Sequence, residues 1–175
     1  MSPSAQSSYS YEREFKGILQ ATPSVLSRAV RGLTPLEREQ YLKIKSHPFM
    51  VVRAAGSFGV DLIAIRGDIS FPVEIKSSTR RILHFGGTRN EKQAENLLES
   101  CRRANITPVY AYRLKGMRGD AWRVFTLKME GLKGRAATLN RALPGLRRSS
   151  KGNYIMAWEE GMPLAEFIDF LCSGF

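Results

Sequence analysis

An α/β domain built on a central five-stranded mixed β-sheet flanked by helices is the architecture this sequence predicts, and three observations lead there. Five short runs rich in β-branched and aromatic residues fall at about 49–54, 60–66, 70–76, 107–113 and 121–127, each bounded by turn residues. Helical patterning precedes the first run, separates the third from the fourth, and returns at the end of the chain. A length of 175 residues, 43% of them hydrophobic, suits one domain with a real core.

The elements follow in order. Residues 1–8 lack the charged and apolar regions of a signal peptide and read as a disordered tail. Tyr9 to Gln20 is an amphipathic helix with Tyr11, Phe15, Ile18 and Leu19 at helical spacing. Glu12 shares a stripe with Phe15 and Leu19, so it borders the buried face and can look toward the sheet. A solvent-facing glutamate favoured by the helix dipole is the equal alternative. Residues 21–48 are a helical insertion broken by Pro23 and Pro35. Thr34-Pro35-Leu36-Glu37 has the form of an N-cap, a first-turn proline and a capping-box glutamate.

Three strands come next, then a basic, glycine-containing, aperiodic stretch at 77–90 that reads as a mobile loop. His84 within it has no partner in sequence and is assigned neither base nor ligand character. Glu91 to Asn105 is a strong helix with Ala94, Leu97, Leu98, Cys101 and Ala104 on its buried stripe, and Gln93 one turn in is expected to face the active site. Two further strands are joined by a turn at Lys115–Asp120. Their aromatics, Tyr110, Tyr112, Trp122 and Phe125, follow strand patterns and are assigned to the core or a subunit contact. Residues 128–152 are basic, glycine-rich and weakly patterned, as a flexible arm would be. The apolar stripe Leu164, Phe167, Ile168 and Leu171 marks a final helix that docks on the body or on a second subunit.

The chemistry concentrates at Asp61 and Glu74-Ile75-Lys76. Phe71, Val73 and Ile75 alternate with Glu74 and Lys76, so the period of two sends Glu74 and Lys76 to one face. Asp61 opens the neighbouring strand and can aim at the same face. Charges on a strand ordinarily mark a solvated edge. Here the flanking runs are apolar enough to be buried, where an unpaired charge is expensive, so a function that requires the charges explains them better. Two carboxylates make a hard-oxygen site for Mg²⁺, with an ammonium beside it. That combination suits phosphodiester hydrolysis, the metal activating water and the lysine orienting it or meeting developing charge.

Charge distribution agrees. The net charge is +11, and residues 79–151 hold 17 Lys/Arg against 5 Asp/Glu, a net +12, just after the candidate catalytic strand. Such an excess favours phosphate binding over an ordinary solvated face. Cys101 and Cys172 fall on apolar helical stripes, as free thiols in a reducing cytoplasm would. No apolar run approaches a membrane span, and no phosphate-binding glycine loop, zinc cysteine pairs or serine-hydrolase elbow is present. An intracellular soluble protein is expected.

Taken together these residues resemble the archaeal Holliday junction resolvases, a branch of the PD-(D/E)xK nuclease superfamily with a restriction-endonuclease-like fold. The matching pieces are Glu12-Arg13-Glu14, Val51-Val-Arg-Ala-Ala-Gly-Ser57, Val60-Asp61-Leu62, Val73-Glu74-Ile75-Lys76, Pro108-Val109 and Trp122-Arg123-Val124-Phe125, in family order. They lie within about 10–19 and 49–127. The resemblance implies that Asp61, Glu74 and Glu12 hold Mg²⁺, with Mn²⁺ able to substitute, and that Lys76 assists the attacking water. It implies phosphate contacts from Arg13 and Arg53, and a Ser57 that meets the scissile strand and belongs to the catalytic set. Arg80, Arg81 and Arg89 of the basic stretch join the DNA-binding set. It further implies a homodimer that places symmetric paired nicks on a four-way junction and reads its shape and backbone. Recombination or replication proteins are expected partners, in a nucleoid-associated cytoplasmic setting. The stretch between Leu19 and Phe49 is longer than the family's compact connection, and nearly fifty residues follow the last matching strand.

Three rivals remain at this stage. Another nuclease of the superfamily, of restriction or repair type, would cut linear duplex or flaps. A catalytically inactive junction-binding protein would have no use for the costly charges of Asp61, Glu74 and Lys76. An RNA-binding basic protein would prefer RNA in competition with junction DNA.

Overall fold

The structure is a computed structural model that describes residues 3–54 and 59–174. Helix α1 (Pro3–Leu19) buries Phe15, Ile18 and Leu19 completely. It begins six residues before the expected Tyr9, so residues 3–8, assigned from sequence to a disordered tail, are helical backbone. The chain reverses at Ala21, whose φ of 54° ends the helix, and enters α2 (Pro23–Ala29). The two helices meet closely at Gly17, where a Cβ would lie 2.7 Å from Val25. Helix α3 (Pro35–Leu42) starts with the expected capping box: Thr34 Oγ1 accepts from Glu37 N at 3.3 Å and Glu37 Oε2 from Thr34 N at 2.8 Å.

The main sheet contains β1 (Met50–Arg53), β2 (Leu62–Ile65), β3 (Ser70–Ser78), β5 (Val109–Leu114), β6 (Trp122–Phe125) and β9 (Met162–Pro163), side by side in that order. Only β3 and β5 run parallel; helix α4 (Thr88–Ala104) makes the crossover between them. A second sheet of three strands joins β4 (Ile82–Phe85), β8 (Tyr154–Ala157) and β7 (Arg147–Arg148), with β8 in the middle. The fold is therefore α/β with mixed sheets flanked by helices, as expected. Five expected strands become six in the main sheet.

Two cores form. On one face of the main sheet α1, α2, α3 and helix α6 (Leu164–Cys172) pack onto Leu62, Phe71, Val73, Ile75 and Trp122. On the other, α4 and β8 pack onto Tyr110, Tyr112 and Phe125. Cys101 and Cys172 are free thiols in different places, and burial pushes the Cys101 thiol up to about 12.

Two segments depart from the sequence reading. The basic stretch 77–90 is not a loop throughout: β3 runs to Ser78, β4 pairs with β8, and α4 begins at Thr88. Nor is 128–152 a free arm. It carries helix α5 (Gly134–Ala142) and β7, and buried Asn140 ties it down by donating to Leu127 O at 3.0 Å and accepting from Met129 N at 3.2 Å. Lys128 Nζ closes the end of α5 by donating to the carbonyls of Asn140 (2.7 Å) and Leu143 (2.5 Å). The final helix docks on the body, with Phe167 against Phe71 at 5.7 Å between ring centres and Lys43 paired to Asp169 at 2.5 Å.

One buried polar node joins the insertion to both ends of this body. Asp120, in the turn before β6, accepts from Tyr41 Oη at 2.9 Å and from Ala165 N at 2.9 Å. Burial raises the Asp120 carboxyl above its usual range, and these two hydrogen bonds act against that rise. Burial, then the Asp120 charge, holds the Tyr41 phenol well above 10. The folded protein thus keeps the Tyr41 proton more tightly than the unfolded chain. Its contribution to stability is complete below the unfolded phenol's pKa near 10 and declines as pH rises from there. Tyr41→Phe is expected to destabilise the protein by about 1–3 kcal/mol in denaturant titrations at neutral pH, because Asp120 loses a buried partner. The same variant should show a shallower loss of stability above pH 10 than the parent protein.

Candidate active site

The register of β2 against β3 pairs Leu62 with Val73, which brings Asp61, one residue before the strand, level with Glu74. Main-chain hydrogen bonds hold Asp61 on both sides: its N–H donates to Val73 O and its carbonyl accepts from Ala54 N, both at 2.9 Å. Its side chain crosses to β3, where Oδ2 accepts from Ile75 N at 2.7 Å. Oδ1 makes no hydrogen bond with a described residue. Glu74 and Lys76 leave β3 on the same face, as alternation predicts, with Lys76 Nζ 2.5 Å from Glu74 Oε1. Glu74 Oε2 makes no hydrogen bond with a described residue.

Electrostatics mark this pair. The Glu74 carboxyl is pushed up to about 7, chiefly by burial and further by the charges of Asp61 and Glu12, while Lys76 draws it down. Two half-desolvated carboxylates with open oxygens are a strained arrangement that a divalent cation would relieve. Mg²⁺ needs only one or two protein carboxylates, because it keeps waters and takes phosphate oxygens. The donor set therefore fits Mg²⁺.

Glu12 is the expected residue that the geometry leaves apart. It influences Glu74 by charge, yet its carboxylate is engaged by Arg53 at 2.9 Å. Among the described residues no group of three or more His, Cys, Asp or Glu side chains converges closely enough to hold a metal. Arg53 also lies 4.5 Å from the centre of the Tyr9 ring, and Arg13 lies 5.7 Å from it on the exposed side of α1.

The remaining expected residues are dispersed. Ser57 lies outside the described residues, and of Arg89 only the helical backbone is described. Arg80 is exposed, and its carbonyl accepts from Tyr112 Oη at 2.5 Å. Arg81 is paired with Glu159 and rests 5.5 Å from the Trp158 ring centre. His84 is an exposed residue of β4.

Sequence reasoning missed the aromatic wall of the site. Because 77–90 contains a strand, Phe85 is carried to within 5.7 Å of Lys76 Nζ and stacks at 5.6 Å on Tyr154 and at 6.0 Å on Tyr110. The Ile-Leu-His-Phe pattern of β4 was the available signal. Gln93 packs beside Gly59, two residues before Asp61. There a φ of 69° favours glycine, and an added Cβ would lie 3.2 Å from Gln93 Cβ.

A family model described as archaeal Holliday junction resolvase (Hjc) matches residues 30–173. The match takes in α3 through α6, including the segment after 127, and leaves α1 and α2 outside. No curated protein matches the chain. Among solved structures, the Hjc Holliday junction resolvase of the archaeal hyperthermophile Archaeoglobus fulgidus is similar at 20% identity and a TM-score of 0.49. That likeness covers 76% of this chain and 92% of the other.

The raised Glu74 carboxyl has a measurable consequence. The folded state holds this proton more tightly than the unfolded chain, so stability falls as pH rises from 4.5 through about 7, and the full penalty persists above. In metal-free buffer at alkaline pH, Glu74→Gln should raise stability by up to roughly 3 kcal/mol. Thermal unfolding of the two proteins across that pH range should converge at the acid end.

Proposed function

This chain belongs to the archaeal Holliday junction resolvase family, with its PD-(D/E)xK-like fold, and from that premise we propose that it is a crossover junction endodeoxyribonuclease. It would hydrolyse phosphodiesters at the branch of a DNA four-way junction, in recombination and repair. The observation that carries the reading is the convergence of Asp61, Glu74 and Lys76 on one face at the junction of β2 and β3.

Asp61 Oδ1 and Glu74 Oε2 are the oxygens that would hold Mg²⁺, or Mn²⁺ in its place. When bound, the ion supplies Lewis acidity toward the phosphate and a more acidic water. Lys76 is placed by its bond to Glu74 to donate to the attacking water or to charge developing on phosphoryl oxygens. Arg53 exchanges its Glu12 partner for a phosphate of the substrate, which leaves the Glu12 carboxylate available to the metal. Arg13, Ser57, Arg80 and Arg89 contact the backbone of the bound strands, and Arg81 does so after leaving Glu159.

Cleavage of a labelled immobile junction in Mg²⁺, beside linear duplex, tests the reading. Symmetric nicks confined to the junction support it, whereas equal cutting of duplex identifies a general nuclease. Glu74→Ala and Asp61→Asn are each expected to slow nicking by on the order of 10²–10³-fold or more, with junction affinity little changed. Retained cleavage in either variant overturns the assigned site.

Paired nicks require two sites, and an exposed apolar face supports a homodimer. Met50 lies opposite Ile65 and Val52 opposite Ile63, so the four side chains share one face. They are 60%, 36%, 46% and 37% exposed respectively. Asp61, Ile63 and Ile65 alternate along the chain, which makes this patch continuous with the carboxylate face. A two-fold contact between copies of the patch would hold two sites toward one substrate. Val52→Glu combined with Ile63→Glu should yield a monomer in sedimentation equilibrium and replace paired nicks by slow single ones. A dimer that persists would place the subunit contact elsewhere.

A further inference from the structure

A cleft of about 990 Å³ lies between α1, α2 and the turn joining β5 to β6. Its position is on the other face of the sheet from the carboxylates. Lys76 is level with Tyr112 of the second core, whereas the next pair, Ser77 and Arg113, points the opposite way, toward Trp122 of the first core. Five arginines line the cleft: Arg13, Arg28, Arg31, Arg113 and Arg118.

The lining holds one acid, and it is already neutralised. Glu14 Oε1 accepts from Arg113 Nε at 3.3 Å and from the Trp122 indole N–H at 2.9 Å. The other four arginines are exposed, and none forms an ion pair with a described carboxylate. Arg28 Nε donates only to the Ser24 carbonyl of its own helix, at 3.2 Å. Gathering four like charges around one recess opposes folding unless an anion meets them, and guanidinium forks match phosphate oxygens.

We propose that this cleft is a second phosphate-binding surface, which takes the sugar–phosphate backbone of a DNA arm as the arm leaves the cleavage face. The path is continuous. Tyr9 lies beneath both Arg53, at the carboxylate side, and Arg13, at the mouth of the cleft. Two of the arginines, Arg13 and Arg28, precede residue 30, where the family match begins. Helix α2, which carries Arg28, thus extends this basic surface beyond the matched segment. That the polyanion is DNA rests on the proposed function; that the cleft takes phosphate does not.

The test uses the full-length protein with Arg28, Arg31 and Arg118 all changed to Ala, and a parallel triple change to Lys. Binding of short-armed junctions, long-armed junctions and long linear duplex is followed by anisotropy over a range of salt. The Ala triple is expected to bind long-armed junctions roughly tenfold more weakly. Its salt slope should be shallower by about 3, one for each lost phosphate contact. Short-armed junctions should bind as before, nicking at saturating DNA should be unchanged, and the Lys triple should keep the parent slope. Equal affinity and slope for parent and Ala triple on long arms overturns the proposal, and an acidic protein surface becomes the better occupant. A parent protein that fails to nick junctions while the Ala triple loses long-duplex affinity overturns the nuclease reading and leaves the cleft standing.

Discussion

The register of β2 on β3 is the constraint on which the rest depends. Leu62 opposite Val73 places Asp61 beside Glu74, and the bond from Ile75 N to Asp61 Oδ2 closes the pair. A slip of one residue would send Asp61 to the opposite face, among the side chains of α1. The register is held by burial on that opposite face, where Leu62, Ala64, Phe71 and Val73 are all fully excluded from water. Phe49 and Phe167 pack against Phe71 at 5.3 and 5.7 Å, so the same apolar contacts that stabilise the sheet also aim its carboxylates. The strain of two neighbouring carboxylates in a half-buried place is borne by this packing, as expected where chemistry requires charges that folding opposes.

Both additions to the sheet lean on one point. Tyr41 arrives from the insertion, Ala165 from the last helix, and Asp120 receives hydrogen bonds from each. Asp120 lies in the turn between β5 and β6, and so the node couples the side of the sheet farthest from β1 to helices separated from it by 79 and 45 residues. Arg123 beside it stacks on Trp158 at 3.6 Å, which carries the same support toward the second sheet and thence to Phe85 at the candidate site. Residues beyond 127 are accordingly part of the body, in agreement with a family match that reaches residue 173.

What was legible in the sequence was whatever obeyed a period or a local motif. The alternation around Glu74 and Lys76, the capping box at Thr34 and the apolar stripe of the last helix all appear as read. The family resemblance was also legible, and the family match bears it out. The failures have a common physical cause. Strand β4 sits between basic and glycine residues that mask its short pattern, β7 has only two residues, and each is held by its pairing to β8 some 70 or 7 positions away. Segment 128–152 looked free because its two fully buried leucines, Leu139 and Leu143, are too few to make a stripe, and its other anchors, Asn140 and Lys128, bind main-chain groups that no hydrophobic pattern announces. Glu12 acts on Glu74 by charge, but Arg53 engages its carboxylate, a competition between partners that spacing alone does not resolve.

Net charge by segment also misleads unless pairing is followed. The acidic end of the chain supplies Glu159 to Arg81, Glu160 to Arg147 and Asp169 to Lys43, so part of the basic excess of 79–151 is neutralised within the fold. Arg102 and Arg113 likewise meet Glu99 and Glu14. What a polyanion encounters is therefore set less by the total of +11 than by the arginines left without carboxylates. Among the described residues Arg13, Arg28, Arg31 and Arg118 have no carboxylate partner, and all four border one cleft. Of these, Arg13, Arg28 and Arg31 come from the first 78 residues, where basic residues are sparser than in 79–151. An arginine's worth to a phosphate depends on the absence of a competing acid within reach, and the fold, by drawing the acidic C-terminal region against the basic middle, decides where that absence falls.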